Sequence, residues 1–140
     1  MPKILVIDDE KAIRNALRDI LLFEKYEVEE AADGAEGLKK AEAGGFDLVL
    51  CDIKMPKMDG MEVLSKLHEI DADLPIVMIS GHGTIDTAVE ATKFGAQSFL
   101  EKPITMQKLL AAVQKGLARA QLHRMAQQQN AAPSSVDRKS

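Results

Sequence analysis

Three short runs of uninterrupted apolar residues constrain this chain more than any other feature. They are Ile4 to Ile7, Leu48 to Cys51 and Ile76 to Ile79. A strand with one wet face alternates apolar and polar residues, whereas a strand covered on both faces reads as a continuous apolar run. Two weaker strand patterns, Glu27 to Ala31 and Gln97 to Glu101, mix charge with apolar residues and suit sheet edges. Helical patterns fill the intervals. Ile13, Leu17, Ile20 and Leu21 form one amphipathic stripe. Asp59 precedes a second helix with Met61, Leu64 and Leu67 directed inward, and Thr84 is placed to cap another. Strands alternating with helices imply right-handed crossovers and a parallel sheet.

In such a sheet all strand carboxyl ends lie on one rim, which gives the residues ending the runs their meaning. KILVIDD ends in Asp8 and Asp9, DLVLCD ends in Asp52, and SFLEKP brings Lys102 before Pro103. Three carboxylates and an ammonium converge on one small site. Close carboxylates repel by a few kcal/mol per pair at an effective dielectric of ~20. A hard divalent cation or a proton offsets that repulsion. The pattern therefore points to an acidic Mg²⁺ pocket with a phosphate-sized anion as ligand. Taken alone, Asp8-Asp9 could also be a helix start with Asp9 near the dipole, and Lys102 a surface lysine before a proline.

The five strand–helix units fit the order 2-1-3-4-5, an arrangement taken from flavodoxin-like doubly wound folds rather than derived from spacing. In that order strands one and three are neighbours, and ligands bind in the crevice between their carboxyl ends.

Composition excludes other classes. The 140 residues suffice for one core, and the net charge of −4 is mixed along the chain, with no basic face for nucleic acid. Cys51 is the only cysteine and lies inside an apolar run, so no disulfide framework is possible and a reducing cytoplasm fits. No apolar run approaches a membrane span of ~20 residues, and no secretory leader is expected. Met55, Met58 and Met61 are expected as gap-filling core, because no Cys or His completes a soft-metal site.

The last helical stretch, Thr105 to about Gln129, contains no proline and only Gly116 among glycines. It would extend ~37 Å, more than a small domain needs. Leu109, Leu110, Val113 and Leu117 can cover the sheet, after which Ala118, Leu122 and Met125 leave a thin stripe. That stripe suits a dimer seam or interdomain connector, or else is a solvated end. The expected organisation is a domain over 1–120, a protruding helix over 121–130 and disordered linker over 131–140.

The pieces Asp8-Asp9, DIKMPKMDG with Asp52, Ser80-Gly81, Phe99 and Lys102-Pro103 occur in an order and spacing that resemble the receiver domain of bacterial two-component response regulators. The resemblance covers roughly residues 3 to 120. The stretch SGHGTIDTAVEATKFGAQSFLEKP is most similar to receivers of NtrC-type regulators, which activate sigma-54 transcription. It implies that Asp52 accepts a phosphoryl group from a sensor histidine kinase. It implies Mg²⁺ on Asp8, Asp9, Asp52 and the backbone carbonyl of Lys54. It assigns Lys102 to a phosphoryl oxygen and Ser80 to a hydroxyl contact, with Gly81 leaving room and Phe99 turning inward as the switch aromatic. A cis bond before Pro103 is implied, and His82 is expected to tune water access. His68 and His123 carry no evident chemistry.

The implied role is signalling rather than enzymatic: self-phosphorylation and slow self-dephosphorylation, a homodimer on phosphorylation, and an output domain or partner protein that controls transcription. A stand-alone receiver acting by protein binding or phosphorelay is the alternative. An FMN binder of the same fold class fails on charge, because the first loop, IDDEKA, would repel a phosphate. A Mg²⁺-dependent aspartyl phosphatase is less suited, because such enzymes need a second Asp two positions from the nucleophile and a substrate cap.

Overall fold

The computed structural model describes residues 1–81 and 85–134, with side chains described as far as residue 126. His82, Thr84 and the proposed linker from 135 onward lie outside the described residues. Elements alternate along the chain as β1 (Lys3–Ile7), α1 (Lys11–Phe23), β2 (Glu27–Ala31), α2 (Gly34–Ala43), β3 (Leu48–Asp52), α3 (Gly60–Ile70), β4 (Ile76–Ser80), α4 (Ile85–Lys93), β5 (Ser98–Glu101) and α5 (Met106–Ser134). All strand pairs are parallel, in the order β2-β1-β3-β4-β5. The two charged patterns are the edges, and the three apolar runs are the centre.

Alternation within each central run divides the core. Leu5, Ile7, Val49, Cys51, Ile76 and Met78 face one layer with Val63, Leu64 and Leu67 of α3 and Ala91 of α4. Ile4, Val6, Leu48, Leu50, Val77 and Ile79 face the other, with Leu17 and Leu21 of α1 and Leu109 and Val113 of α5. Met55, Met58 and Met61 pack against the first layer, as expected of gap-filling methionines. Cys51 is fully buried there, and burial pushes its thiol up beyond the physiological range.

Helix starts follow local chemistry at α2 and α3. Asp33 caps α2 by accepting from the Glu36 N–H at 2.8 Å, and Asp59 caps α3 by accepting from the Met61 N–H at 3.3 Å. At α1 the cap residue is Glu10, not Asp9, and its side chain makes no cap bond. Asp9 is thus not the helix cap that the sequence left open.

α5 is longer than expected. It holds 29 residues and continues through 131–134, where linker was expected. Ala131 and Ala132 are strong helix formers, whereas Pro133 in the last turn opposes helix. Leu109, Ala112 and Val113 bury against the sheet, with Leu110 and Leu117 partly covered. From Gln121 to Ala126 every residue is exposed. Among the described residues no helix is long and apolar enough to cross a membrane.

Candidate phosphoacceptor site

The carboxyl ends of β1 and β3 are adjacent because Ile7 pairs with Cys51. This register sets Asp8, Asp9 and Asp52 beside one another, with one carboxylate oxygen from each lying within 4.8 Å of the others. Asp8 and Asp52 are buried, at 1% and 3% exposure, and Asp9 is open to solvent. Lys102 follows β5 and reaches back over β4. Its Nζ stands 3.5 Å from Asp52 Oδ1, 3.6 Å from Asp8 Oδ2 and 3.5 Å from Glu10 Oε1. The Lys102 N–H donates to the Ser80 carbonyl at 2.8 Å, which ties its backbone to the end of β4. The Lys102–Pro103 peptide is cis, as the resemblance implied.

The first loop is held from behind. The Asp8 carboxylate accepts the Glu10 N–H at 2.8 Å, and its backbone carbonyl accepts Arg14 Nη1 at 2.6 Å. Arg14 also pairs with Glu30 on β2 at 3.2 Å, so α1, β1 and β2 are tied together directly beneath the acidic pair. Arg14 was not singled out from sequence. Its place one turn into α1, near an edge strand that carries Glu27, Glu29 and Glu30, is the signal that was available.

Gly60, at the start of α3, is a second residue that sequence alone did not single out. A Cβ there would lie 2.2 Å from the Asp52 carbonyl oxygen and 2.5 Å from Ile53 Cα. Only glycine lets the start of α3 press on the end of β3, and its N–H donates to the Ile53 carbonyl at 2.8 Å. Gly81 differs. Among the described residues, a Cβ there would meet only Lys102 Cδ, at 3.7 Å, an ordinary contact.

Electrostatics follow from burial. Desolvation, then the charge of Asp8, raises the Asp52 carboxyl to about 6, with Lys102 opposing. Burial also raises Asp8, against the Glu10 N–H bond and Lys102. Burial alone would lower Lys102, but Asp8, Asp52 and Glu10 together raise it, so it stays charged. Asp52 is therefore about nine-tenths ionised at pH 7.

The residues fit a hard cation. Every donor is an oxygen, and Asp8 Oδ2 is buried without a hydrogen-bond partner among the described residues. Lys54 is exposed, two residues beyond Asp52 in the β3–α3 loop. Ser80 ends β4, buried, opposite Glu101 of β5. Phe99 pairs with Met78 and packs, half-buried, on the first core layer. The structure thus brings Asp8, Asp9, Asp52 and Lys102 together, while Lys54 follows β3, Ser80 ends β4, and Phe99 sits inward along β5. His123 pairs with Asp73, its Nδ1 2.9 Å from the carboxylate, well away from this cluster.

Comparison with known proteins agrees with this geometry. Residues 4–114 match the family model described as the response regulator receiver domain. The chain is 43% identical over 116 residues to the C4-dicarboxylate transport transcriptional regulatory protein DctD of Pseudomonas aeruginosa, covering 82% of this chain and 25% of that protein. It superposes on NtrX from Brucella abortus with a TM-score of 0.86 at 36% identity, covering 91% of this chain and 29% of the other. It superposes on the beryllofluoride-activated NtrC4 receiver domain dimer with a TM-score of 0.82 at 35% identity, covering 86% and 99%. The chain spans between 25% and 52% of the length of the curated relatives it matches.

Proposed function

Because the chain belongs to the response regulator receiver domain family and is most like its NtrC-type members, we propose that Asp52 accepts a phosphoryl group from the phosphohistidine of a sensor kinase and thereby switches a surface read by a transcription-controlling output. The observation that carries this reading is one ammonium, Lys102 Nζ, poised over two buried carboxylates, 3.5 Å from Asp52 and 3.6 Å from Asp8.

A carboxylate ionised at pH 7 needs no general base. Phosphoryl transfer is mostly positioning and charge neutralisation. An Asp52 oxygen attacks phosphorus, the phosphorus–nitrogen bond breaks, and the leaving imidazole takes up a proton. Lys102 turns from the carboxylates to a phosphoryl oxygen. Mg²⁺ held by Asp8, Asp9, Asp52 and the Lys54 carbonyl would neutralise charge shared by the carboxylate and the incoming group. The Ser80 hydroxyl then donates to the new phosphoryl oxygens, and Phe99 turns inward. This is a switch with slow self-hydrolysis rather than a turnover enzyme, acting in the cytoplasm. The surface it biases, through β5 and α5, forms a homodimer or meets an output domain, and this domain itself does not touch nucleic acid.

The test is labelling with acetyl phosphate and Mg²⁺, or binding of beryllofluoride with Mg²⁺. The parent should react and Asp52→Asn should not; equal labelling of the two would sink the assignment.

A further inference from the structure

Glu10 occupies the N-cap of α1, where Ser, Thr, Asp or Asn ordinarily accepts a first-turn N–H, yet its side chain makes no cap bond. It turns instead to the site, with Oε1 3.5 Å from Lys102 Nζ. Lys102 therefore faces three carboxylates at nearly equal distance. At 3.5–3.6 Å these are ion pairs rather than full hydrogen bonds, so an incoming phosphoryl oxygen competes with all three carboxylates for the ammonium's charge, and it comes closest when one of them withdraws. Asp8 and Asp52 are buried, and leaving either unpaired strands a charge away from water. The Glu10 side chain is 61% exposed and can swing into solvent. A local preference broken at a functional rim is where a side chain serves the site rather than the helix.

We propose that Glu10 is a positioning residue: a detachable third counter-ion that holds Lys102 back from an incoming phosphoryl group and so sets how readily Asp52 is phosphorylated. This rests on the reading of Asp52 as acceptor. Displacing an exposed ion pair is a small cost, so Glu10 tunes the equilibrium and does not gate it. Removing the contact should strengthen binding of a phosphoryl mimic by up to about fivefold, an effect that shrinks with added salt.

The experiment titrates the Mg²⁺-loaded protein with beryllofluoride, followed by amide NMR, in the parent, Glu10→Gln and Glu10→Asp. Gln removes the charge. Asp keeps it, but shortens the reach by one methylene and suits the vacant cap. The expected result is that both variants bind the mimic more tightly. In metal-free protein, Lys102 in both should also react faster with an amine-acylating reagent than in the parent. If Asp behaves as the parent and only Gln tightens, charge alone matters and the contact does not. If both behave as the parent in affinity and acylation, Glu10 has no such role. A parent that binds no mimic overturns the acceptor reading instead, and the acylation comparison still decides the Glu10–Lys102 contact.

Discussion

Asp52 and Lys102 meet at 3.5 Å across β4, one ending β3 and the other following β5, so neither strand alone could make the pair. The contact holds charge inside a rim that would otherwise exclude it. Burial acts on both groups, against the carboxylate and against the ammonium, and each offsets the other's desolvation. An additional anion entering the cluster must find Lys102 already committed to carboxylates, and this sets the chemistry of the first step.

Asp52 should destabilise the metal-free protein at neutral pH. Its folded-state value, about 6, lies above the ordinary 3.8. A group raised in this way contributes stability that is fully present below about pH 4 and is lost as pH rises through about 6. Asp52→Asn removes the loss. With no divalent cation present, the variant should unfold at higher urea than the parent at pH 7.5, by on the order of 1–3 kcal/mol. The gap should close toward pH 4. A variant less stable than the parent at pH 7.5 would contradict this account.

Magnesium should bind with release of protons. Burial raises both Asp8 and Asp52, and Asp52, raised to about 6, is partly protonated near pH 6, so a cation must displace that proton. Affinity should therefore rise, by about tenfold, between pH 5 and pH 7. Calorimetry at pH 6 in two buffers of different ionisation enthalpy measures the release directly. Identical heats in both buffers would mean that the carboxylates are already ionised.

Much of this site is legible in the sequence, because strand ends are. Continuous apolar runs identify the central strands, parallel topology puts their carboxyl ends on one rim, and Asp8, Asp9, Asp52 and Lys102 follow. What was not legible depends on what lies across from a residue. Gly60 reads as an ordinary helix start until the Asp52 carbonyl is seen 2.2 Å from where a Cβ would sit. α2 reads poorly because one of its packing positions, Gly37, has no side chain and receives Ile7 instead. Arg14 and Glu10 look like ordinary surface charges of a first turn, and their partners come from β2 and from beyond β5.

Gly60→Ala should therefore be far more damaging than Gly81→Ala. At position 60 the new methyl meets backbone atoms, which cannot rotate away, so either α3 retreats or the end of β3 moves. A loss of roughly 3 kcal/mol or more is expected in urea unfolding, with weaker Mg²⁺ binding because Asp52 shifts. At position 81, among the described residues, the methyl touches only the Lys102 stem, at 3.7 Å, and stability should change by under about 1 kcal/mol. Comparable losses for the two variants would show that the approach of α3 to β3 is looser than the geometry indicates.

The α5 extension should govern self-association rather than folding. Leu122 and Met125 are 64% and 47% exposed, while Leu109 and Val113 on the same helix are fully buried. Replacing the exposed pair with Glu removes apolar area that the domain core does not use, so the urea midpoint should move by under about 0.5 kcal/mol. If phosphorylation drives pairing through this stripe, sedimentation of the parent with Mg²⁺ and beryllofluoride should show a mass near two chains. Leu122→Glu with Met125→Glu should remain near one, because two like charges facing their copies across a seam oppose association. A parent whose mass is unchanged by the mimic would place the switch surface elsewhere. A double variant that still pairs would separate dimerisation from the extension and leave the stripe as a connector toward whatever follows it in the chain.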